Sequence, residues 1–326
     1  MDLPTSSQRY FAQGRYVDDV TQARFIRSRC DDAGHVTYAA SAMRLRPPRL
    51  PAVYLVGGSS VRVCIGEPAS LARQVRSRCG RRVSVHVLAT SEQHFASTLA
   101  IIDNLPQTPA VVVIGVHHTQ FAFGISGASR QAGGDPLPLC SPALLEWLAD
   151  ESLENPPLDI TRGVRKYLAL YRRRRHAAPF TGPPIAYNRL RYSQASVWPL
   201  ATKRQRVDQW LIGRGRPGGP FFDNLELNGR LLEAAVVLAR ERGFEVIIME
   251  SPQDTAVVGA AWSRYEKLYR AVCRRIAARH GARYVNLNPT TALVDGDFHD
   301  LVHLVPSGRA KWTPALARVV APLVVP

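Results

Sequence analysis

No stretch of the chain approaches the ~20 consecutive apolar residues of a membrane-spanning helix. The N-terminal run MDLPTSSQRYFAQGRYVDD also lacks the apolar centre of a secretory signal. No membrane span is therefore expected, and a cytoplasmic location is. Cysteine is sparse: the five thiols, Cys30, Cys64, Cys79, Cys140 and Cys273, form an odd set with no CxxC spacing. That pattern argues against a disulfide framework or a structural zinc site, and the thiols read as free in a reducing compartment. There is no internal repeat, low-complexity tract, helix-turn-helix signature or basic strand interleaved with aromatics, so nucleic acid is not the expected partner. No cofactor or metal is expected either.

What the chain has in excess is arginine. Lys and Arg together number 42 against 26 Asp and Glu, a net charge of +16. Such a field favours phosphate-bearing or otherwise anionic partners and says nothing about fold. The densest run, Arg172 to Arg175 followed by His176, reads as a solvated helix end. With 46% hydrophobic and 21% charged residues the composition is that of a packed globular protein, and 326 residues accommodate one domain with insertions.

Residues 1–50 are polar and Arg-rich without clear periodicity, and read as an N-terminal arm or cap. From Val53 onward strand and helix patterns alternate. Val53–Val56, Val83–Leu88, Val111–Ile114, Val246–Met249 and Tyr284–Leu287 are short apolar runs suited to buried parallel strands. Helical patterns fall between them: Ala69–Cys79 closed by Gly80, a helix bearing Phe95, Leu99 and Ile102 capped by Thr90 or Ser91, Leu225–Arg242 closed by Gly243, Trp262–Ile276 closed by Gly281, and finally Pro306–Val320. The alternation breaks down over about 119–222. There a helix starts at Ser141-Pro142, others span Thr161 to about Arg174 and Arg204–Ile212, and the remainder is rich in Pro and Gly. Residues 51–326 are thus expected to form one α/β domain, a flavodoxin-like, doubly wound, five-stranded parallel sheet with a mainly helical or irregular insertion serving as a lid or substrate-specific element. Its sites would lie at the carboxyl ends of the strands.

Two segments that follow predicted strands carry chemistry. After the first strand comes Gly57-Gly58-Ser59-Ser60, where glycines permit a tight turn that lifts a hydroxyl clear of the sheet, although a phosphate-binding or plain loop has the same composition. Shortly after the fifth comes Asp300-Leu301-Val302-His303. An Asp three residues before a His lets a carboxylate orient imidazole Nδ1 while Nε2 faces a nucleophile, which is what activation of a serine requires.

Together these segments resemble the SGNH (GDSL-type) hydrolases, which carry a Gly-Asp-Ser turn after the first strand and an Asp-x-x-His motif before the last helix. The resemblance covers residues 51–118 and 224–326. It implies Ser59 as nucleophile, Asp300 as orienting acid and His303 as general base, with Ser60 the alternative nucleophile if the register slips by one. Gly58 stands in place of the family's Asp. The family's oxyanion hole draws on the nucleophile's own N–H, a glycine N–H after the second strand and an Asn side chain after the third. Here Ser91 or Glu92 falls near the glycine position, and the Gly-x-Asn motif becomes Gly115-Val116-His117, so that the Asn position is His117.

The pair His117-His118 invites a metal reading with His94 or His86, but adjacent residues point apart and no HExxH helix is present. Glu250 and Asp254 could line the same cleft, although loop and capping roles suit them better. The resemblance implies a serine esterase or O-acyltransferase acting on an acyl or acetyl ester, on a small molecule or glycan. The competing expectation is a catalytically weak or inactive module of the same fold that binds an anionic glycan or another polyanion.

Overall fold

A computed structural model describes residues 32–132, 137, 139, 141–151, 196–212 and 219–324. Helix α1 (Asp32–Leu45) leads into strand β1 (Ala52–Gly57), the short turn of helix α2 (Ser59–Arg62) and α3 (Pro68–Cys79). Then follow β2 (Ser84–Ala89), α4 (Phe95–Asp103), β3 (Ala110–Val116), α5 (Ile125–Ala132), α6 (Pro142–Asp150), α7 (Leu200–Ile212) and α8 (Gly219–Glu241). The chain closes with β4 (Glu245–Glu250), α9 (Thr255–Val258), α10 (Ser263–Arg279), β5 (Arg283–Val285) and α11 (Pro306–Val320).

The five strands form one parallel sheet in the order β2-β1-β3-β4-β5. The fold is α/β, flavodoxin-like and doubly wound. Strand residues alternate between two cores because successive side chains point to opposite faces. Val53, Leu55, Val111, Val113, Ile247 and Met249 pack under α3 and α11 through Leu71, Val75, Trp312 and Leu316. Tyr54, Val56, Val112, Ile114, Val246 and Ile248 face Leu99, Leu232, Val236, Tyr269 and Ile276. Burial on both faces is why β1 and β3 read as unbroken apolar runs.

The chain moves from β1 to β2 on one side and returns to β3 on the other, so the carboxyl ends of β1 and β3 flank the point where winding reverses. An open α/β sheet forms its crevice there. Ser59 follows the first of these strands and His117 the second.

Several boundaries differ from the sequence expectation. The stretch before β1 was expected to lack periodic helix, yet α1 is helical and buries Val36, Ala40 and Met43 in the core. Neither Thr90 nor Ser91 caps α4, which starts later with His94 at its cap position; the Thr90 N–H and hydroxyl instead donate to Gln93 Oε1. Helix α7 begins immediately after Pro199, whose carbonyl accepts the Lys203 N–H at 3.1 Å. Strand β5 is shorter than expected because Leu287 leads into a 3-10 turn over Asn288–Thr290 with proline in its first turn. Ser141 caps α6, accepting the Leu144 N–H at 3.2 Å with proline next in line. The expected Thr161–Arg174 helix, the Arg172–Arg175 run, Cys30 and Cys140 lie outside the described residues. No helix among the described residues is long and apolar enough to cross a membrane.

Candidate active site

The turn after β1 owes its shape to two glycines that leave room for one side chain. A Cβ on Gly57, whose φ is +151°, would meet Val61 Cγ2 at 2.8 Å and the Gly115 carbonyl oxygen at 2.9 Å. A Cβ on Gly115 would sit 1.9 Å from the same Val61 methyl. Val61 therefore plugs down between β1 and β3, and α2 stands directly on the strand ends. Gly115 belongs to the packing under the turn rather than to its open side. The N–H groups of Val61 and Arg62 turn back to the Gly58 carbonyl at 3.0 and 3.1 Å, which fixes Ser59 at the first position of the helical turn.

His303 approaches from the loop between β5 and α11. Its Nε2 lies 2.8 Å from Ser59 Oγ, and its Nδ1 lies 2.7 Å from Asp300 Oδ2. The Asp300–His303 spacing works because the other carboxylate oxygen closes its own turn: Oδ1 accepts the N–H groups of Val302 and His303, both at 2.9 Å. Burial pushes the Asp300 carboxyl up, but the hydrogen bond and charge of His303 and the two backbone donors outweigh it and bring its pKa down to about 2. The carboxylate is thus ionised at neutral pH and its orientation is over-determined. Ser59 is partly exposed whereas Ser60 is buried in the turn, so of the two hydroxyls Ser59 meets the imidazole.

The structure brings Ser59 to His303 across 244 residues of chain, with Asp300 on the far edge of the imidazole. It treats the other expected site residues differently. Ser91 accepts a hydrogen bond from Arg62 Nη1 at 3.3 Å, and Glu92 is exposed with φ of +53°. His117 lies near the dyad and takes the charge of both His303 and Asp300. Burial first, and then the charge of His303, take its pKa down to about 3 against the opposing pull of Asp300 and Gln253. It is therefore a neutral ring. Its Nδ1 lies 3.0 Å from Thr119 Oγ1 and accepts the Thr119 N–H in a longer contact at 3.5 Å, which favours the tautomer with the proton on Nε2. That Nε2 is sealed from solvent.

No model of a known protein family matches the chain, and no curated protein matches it at a significant level. The functional reading accordingly stands on the geometry of the site.

Two glutamines that sequence reasoning passed over brace the loops that carry Ser91, Glu92 and His117. Gln93 Oε1 accepts from Thr90, Gln93 Nε2 donates to Thr98 Oγ1 at 3.1 Å, and the Gln93 carbonyl accepts from Gln120 Nε2 at 3.0 Å. Gln120 Oε1 in turn accepts the His117 N–H at 2.8 Å. The loops after β2 and β3 are thereby tied into one buried polar network with its amide partners satisfied. The signal available was slight, two polar residues between strand ends and helix starts.

His117 and His118 do not point apart as expected: the fully buried His118 ring lies 4.0 Å from that of His117 and 4.3 Å from that of Trp262, because both rings fold into the turn after β3, and burial holds the His118 pKa well below the ordinary imidazole value. Among the described residues no group of three or more His, Cys, Asp or Glu side chains is placed to hold a metal ion. Glu250 does not open to the cleft: it is buried and accepts from Arg270 Nε and Nη2 at 2.8 Å, from Tyr269 and from Tyr284. Asp254 caps α9, accepting the Val257 N–H at 3.3 Å, and pairs with Lys203. Cys64 and Cys273 are buried free thiols, and burial raises the Cys64 pKa to about 12, which makes it an inert core group.

Proposed function

We propose that this chain is an SGNH-like serine hydrolase or O-acyltransferase that acts on an acyl or acetyl ester, with Ser59 as nucleophile, His303 as general base and Asp300 as the orienting acid. The observation that carries the reading is the unbroken relay from Asp300 Oδ2 through the His303 ring to Ser59 Oγ, with both links at hydrogen-bond length. Two hydrogen bonds through opposite edges of one imidazole fix its tautomer: Nδ1 donates to the carboxylate and Nε2 accepts the serine proton.

In the proposed reaction Ser59 Oγ attacks the ester carbonyl while His303 Nε2 takes its proton, and Asp300 stabilises the imidazolium that forms. The tetrahedral intermediate collapses as His303 gives that proton to the leaving alkoxide, which departs as an alcohol and leaves Ser59 acylated. Water or an acceptor alcohol then attacks the acyl carbonyl, again losing its proton to His303, and Ser59 is regenerated by return of the proton. The donor assigned to the oxyanion is the backbone N–H of Ser59, which precedes the first bonds of the α2 turn. His117 Nε2 is covered in the free chain, so the side-chain donor of the family has no open counterpart. Loss of one such donor typically costs about 10²–10³ in rate, and a slow enzyme is expected.

Incubation with a fluorophosphonate probe and with an activated acetyl ester tests the reading. Labelling and turnover are expected in the wild-type chain and absent from Ser59→Ala. A folded wild-type protein that neither labels nor turns over, or a Ser59→Ala variant that labels like wild type, would refute it.

A further inference from the structure

The chain holds only four lysines, Lys166, Lys203, Lys267 and Lys311, among its many arginines. One of them, Lys203, is completely buried. It projects from α7, within the region expected to be a lid or substrate-specific insertion. Its Nζ donates to Asp254 Oδ2 at 3.0 Å, Asp295 Oδ1 at 2.6 Å, the Asp295 carbonyl at 3.0 Å and the Phe298 carbonyl at 3.1 Å. Asp254 lies just after β4 and its N–H donates to the Leu301 carbonyl at 2.9 Å, while Asp295 and Phe298 lie on the loop that delivers Asp300 and His303. One ammonium thus joins the insertion, the loop after β4 and the acid–base loop.

The same segment grips that loop a second time. Trp198 N–H donates to the His299 carbonyl at 2.8 Å, the Trp198 ring packs edge-on against the His299 ring, and His299 Nδ1 bonds the Ser196 carbonyl. His299 N–H then donates to the His303 carbonyl at 2.7 Å, and Phe298 forms an antiparallel bridge with Leu304. The chain from Ser196 to Lys203 is laid across the outside of the turn that presents the imidazole.

From this juxtaposition we infer that Lys203 is a positioning residue: it fixes the Asp300–His303 turn at hydrogen-bond distance from Ser59, and α7 is a strut of the active site rather than a lid over it. The inference rests on the Ser59 reading for its consequence in catalysis, but its structural claim concerns the acid–base loop itself. A lysine suits the role because its three donors spread over acceptors on different segments, and in a dry setting each charge-assisted bond is strong. Removal of the cation leaves Asp254 as a buried unpaired carboxylate, so the informative variant removes both charges.

The test compares wild type with Lys203→Met/Asp254→Asn and with Asp295→Asn, whose carboxylate is 40% exposed and whose removal leaves Lys203 paired with Asp254. Three readings are taken: kcat and KM on an acetyl ester, the fluorophosphonate labelling rate, and the low-field proton resonance of His303 Nδ1–H against Asp300. In the double variant kcat and labelling rate are expected to fall roughly 10- to 100-fold with KM nearly constant, because small displacements of a catalytic group cost that much. The His303 resonance is expected to weaken or vanish. Asp295→Asn should move all three in the same direction by less. A merely structural lysine would lower thermal stability while the folded fraction kept wild-type kcat and the His303 resonance. That result in both variants, or in Asp295→Asn alone if the double variant does not fold, overturns the inference. If wild type itself does not label or turn over, the hydrolase reading falls and the resonance still reports whether Lys203 holds the dyad. Ser59→Ala, which should keep the resonance and lose labelling, separates the two failures.

Discussion

Two carboxylates near the carboxyl ends of the strands end in opposite circumstances. Glu250, at the end of β4, is surrounded by Arg270, Tyr269 and Tyr284, and burial still pushes its pKa up. Asp300 is also sheltered, yet its single imidazole partner and two backbone donors bring it down to about 2. The first cluster is closed, each acceptor facing a donor of its own. The second is a line with an open end, since the imidazole that takes one bond from Asp300 passes its other nitrogen to a partly exposed hydroxyl. A perturbed carboxylate alone does not mark chemistry. A relay that terminates on an accessible nucleophile carries far more weight.

The comparison is broken most severely at its open end. Ser59→Ala is expected to lower turnover by roughly 10⁶-fold with the fold intact, measured by burst kinetics and probe labelling, as loss of a nucleophile in a serine triad does elsewhere. Asp300→Asn should cost about 10⁴-fold in kcat, because the amide favours the wrong imidazole tautomer, and circular dichroism should stay native. The matching change in the closed cluster, Glu250→Gln, should act the other way. Arg270 is a quarter exposed and keeps Glu266 as a second partner, so the loss should be about 1–3 kcal/mol in denaturant unfolding, while kcat per folded molecule stays at the wild-type level.

A smaller effect follows from the buried histidines. Burial first, then the charge of Arg130, holds His94 at about 4; His117 is held at about 3 and His118 lower than its ordinary value. These folded-state values lie below the unfolded one, so the unfolded chain binds more protons. The stabilisation is complete above pH ~6.5 and is lost as pH falls toward 3–4, at about 1.4 kcal/mol per pH unit for each fully titrating ring. Urea unfolding between pH 7 and 4 should show the slope, and His94→Gln should reduce it. The smallest expected change is Ser60→Ala: labelling within a few-fold of wild type, since Ser59 makes the bond to His303. A Ser60→Ala variant that abolished labelling would move the nucleophile by one residue.

Much of the fold was legible in the chain because a doubly wound sheet writes its strands as short apolar runs and its helices between them. Val111–Ile114 and Val246–Met249 each lie inside the observed strand, and α11 was read to its ends. Helix α1 was not legible because its stripe, Val36, Ala40 and Met43 at i, i+4 and i+7, rests partly on alanine and is diluted by further alanines on its other faces. The Asp300 to His303 spacing could be read because both residues belong to one turn. Gln93, Gln120 and Lys203 could not, since each is an ordinary polar residue whose meaning lies in a partner far along the chain.

By itself, then, the sequence determined which residues could be strand, helix or turn, and that a hydroxyl and an imidazole each follow a strand. Those are local matters of periodicity and of a side chain's reach to its own backbone. Only the tertiary structure decided that the two groups meet, that Val61 seats the serine turn between Gly57 and Gly115, and that Lys203 bonds the loop carrying Asp300 and His303. Such contacts join residues tens to hundreds of positions apart, and no spacing rule along one strand of text encodes the winding that brings them into a single crevice.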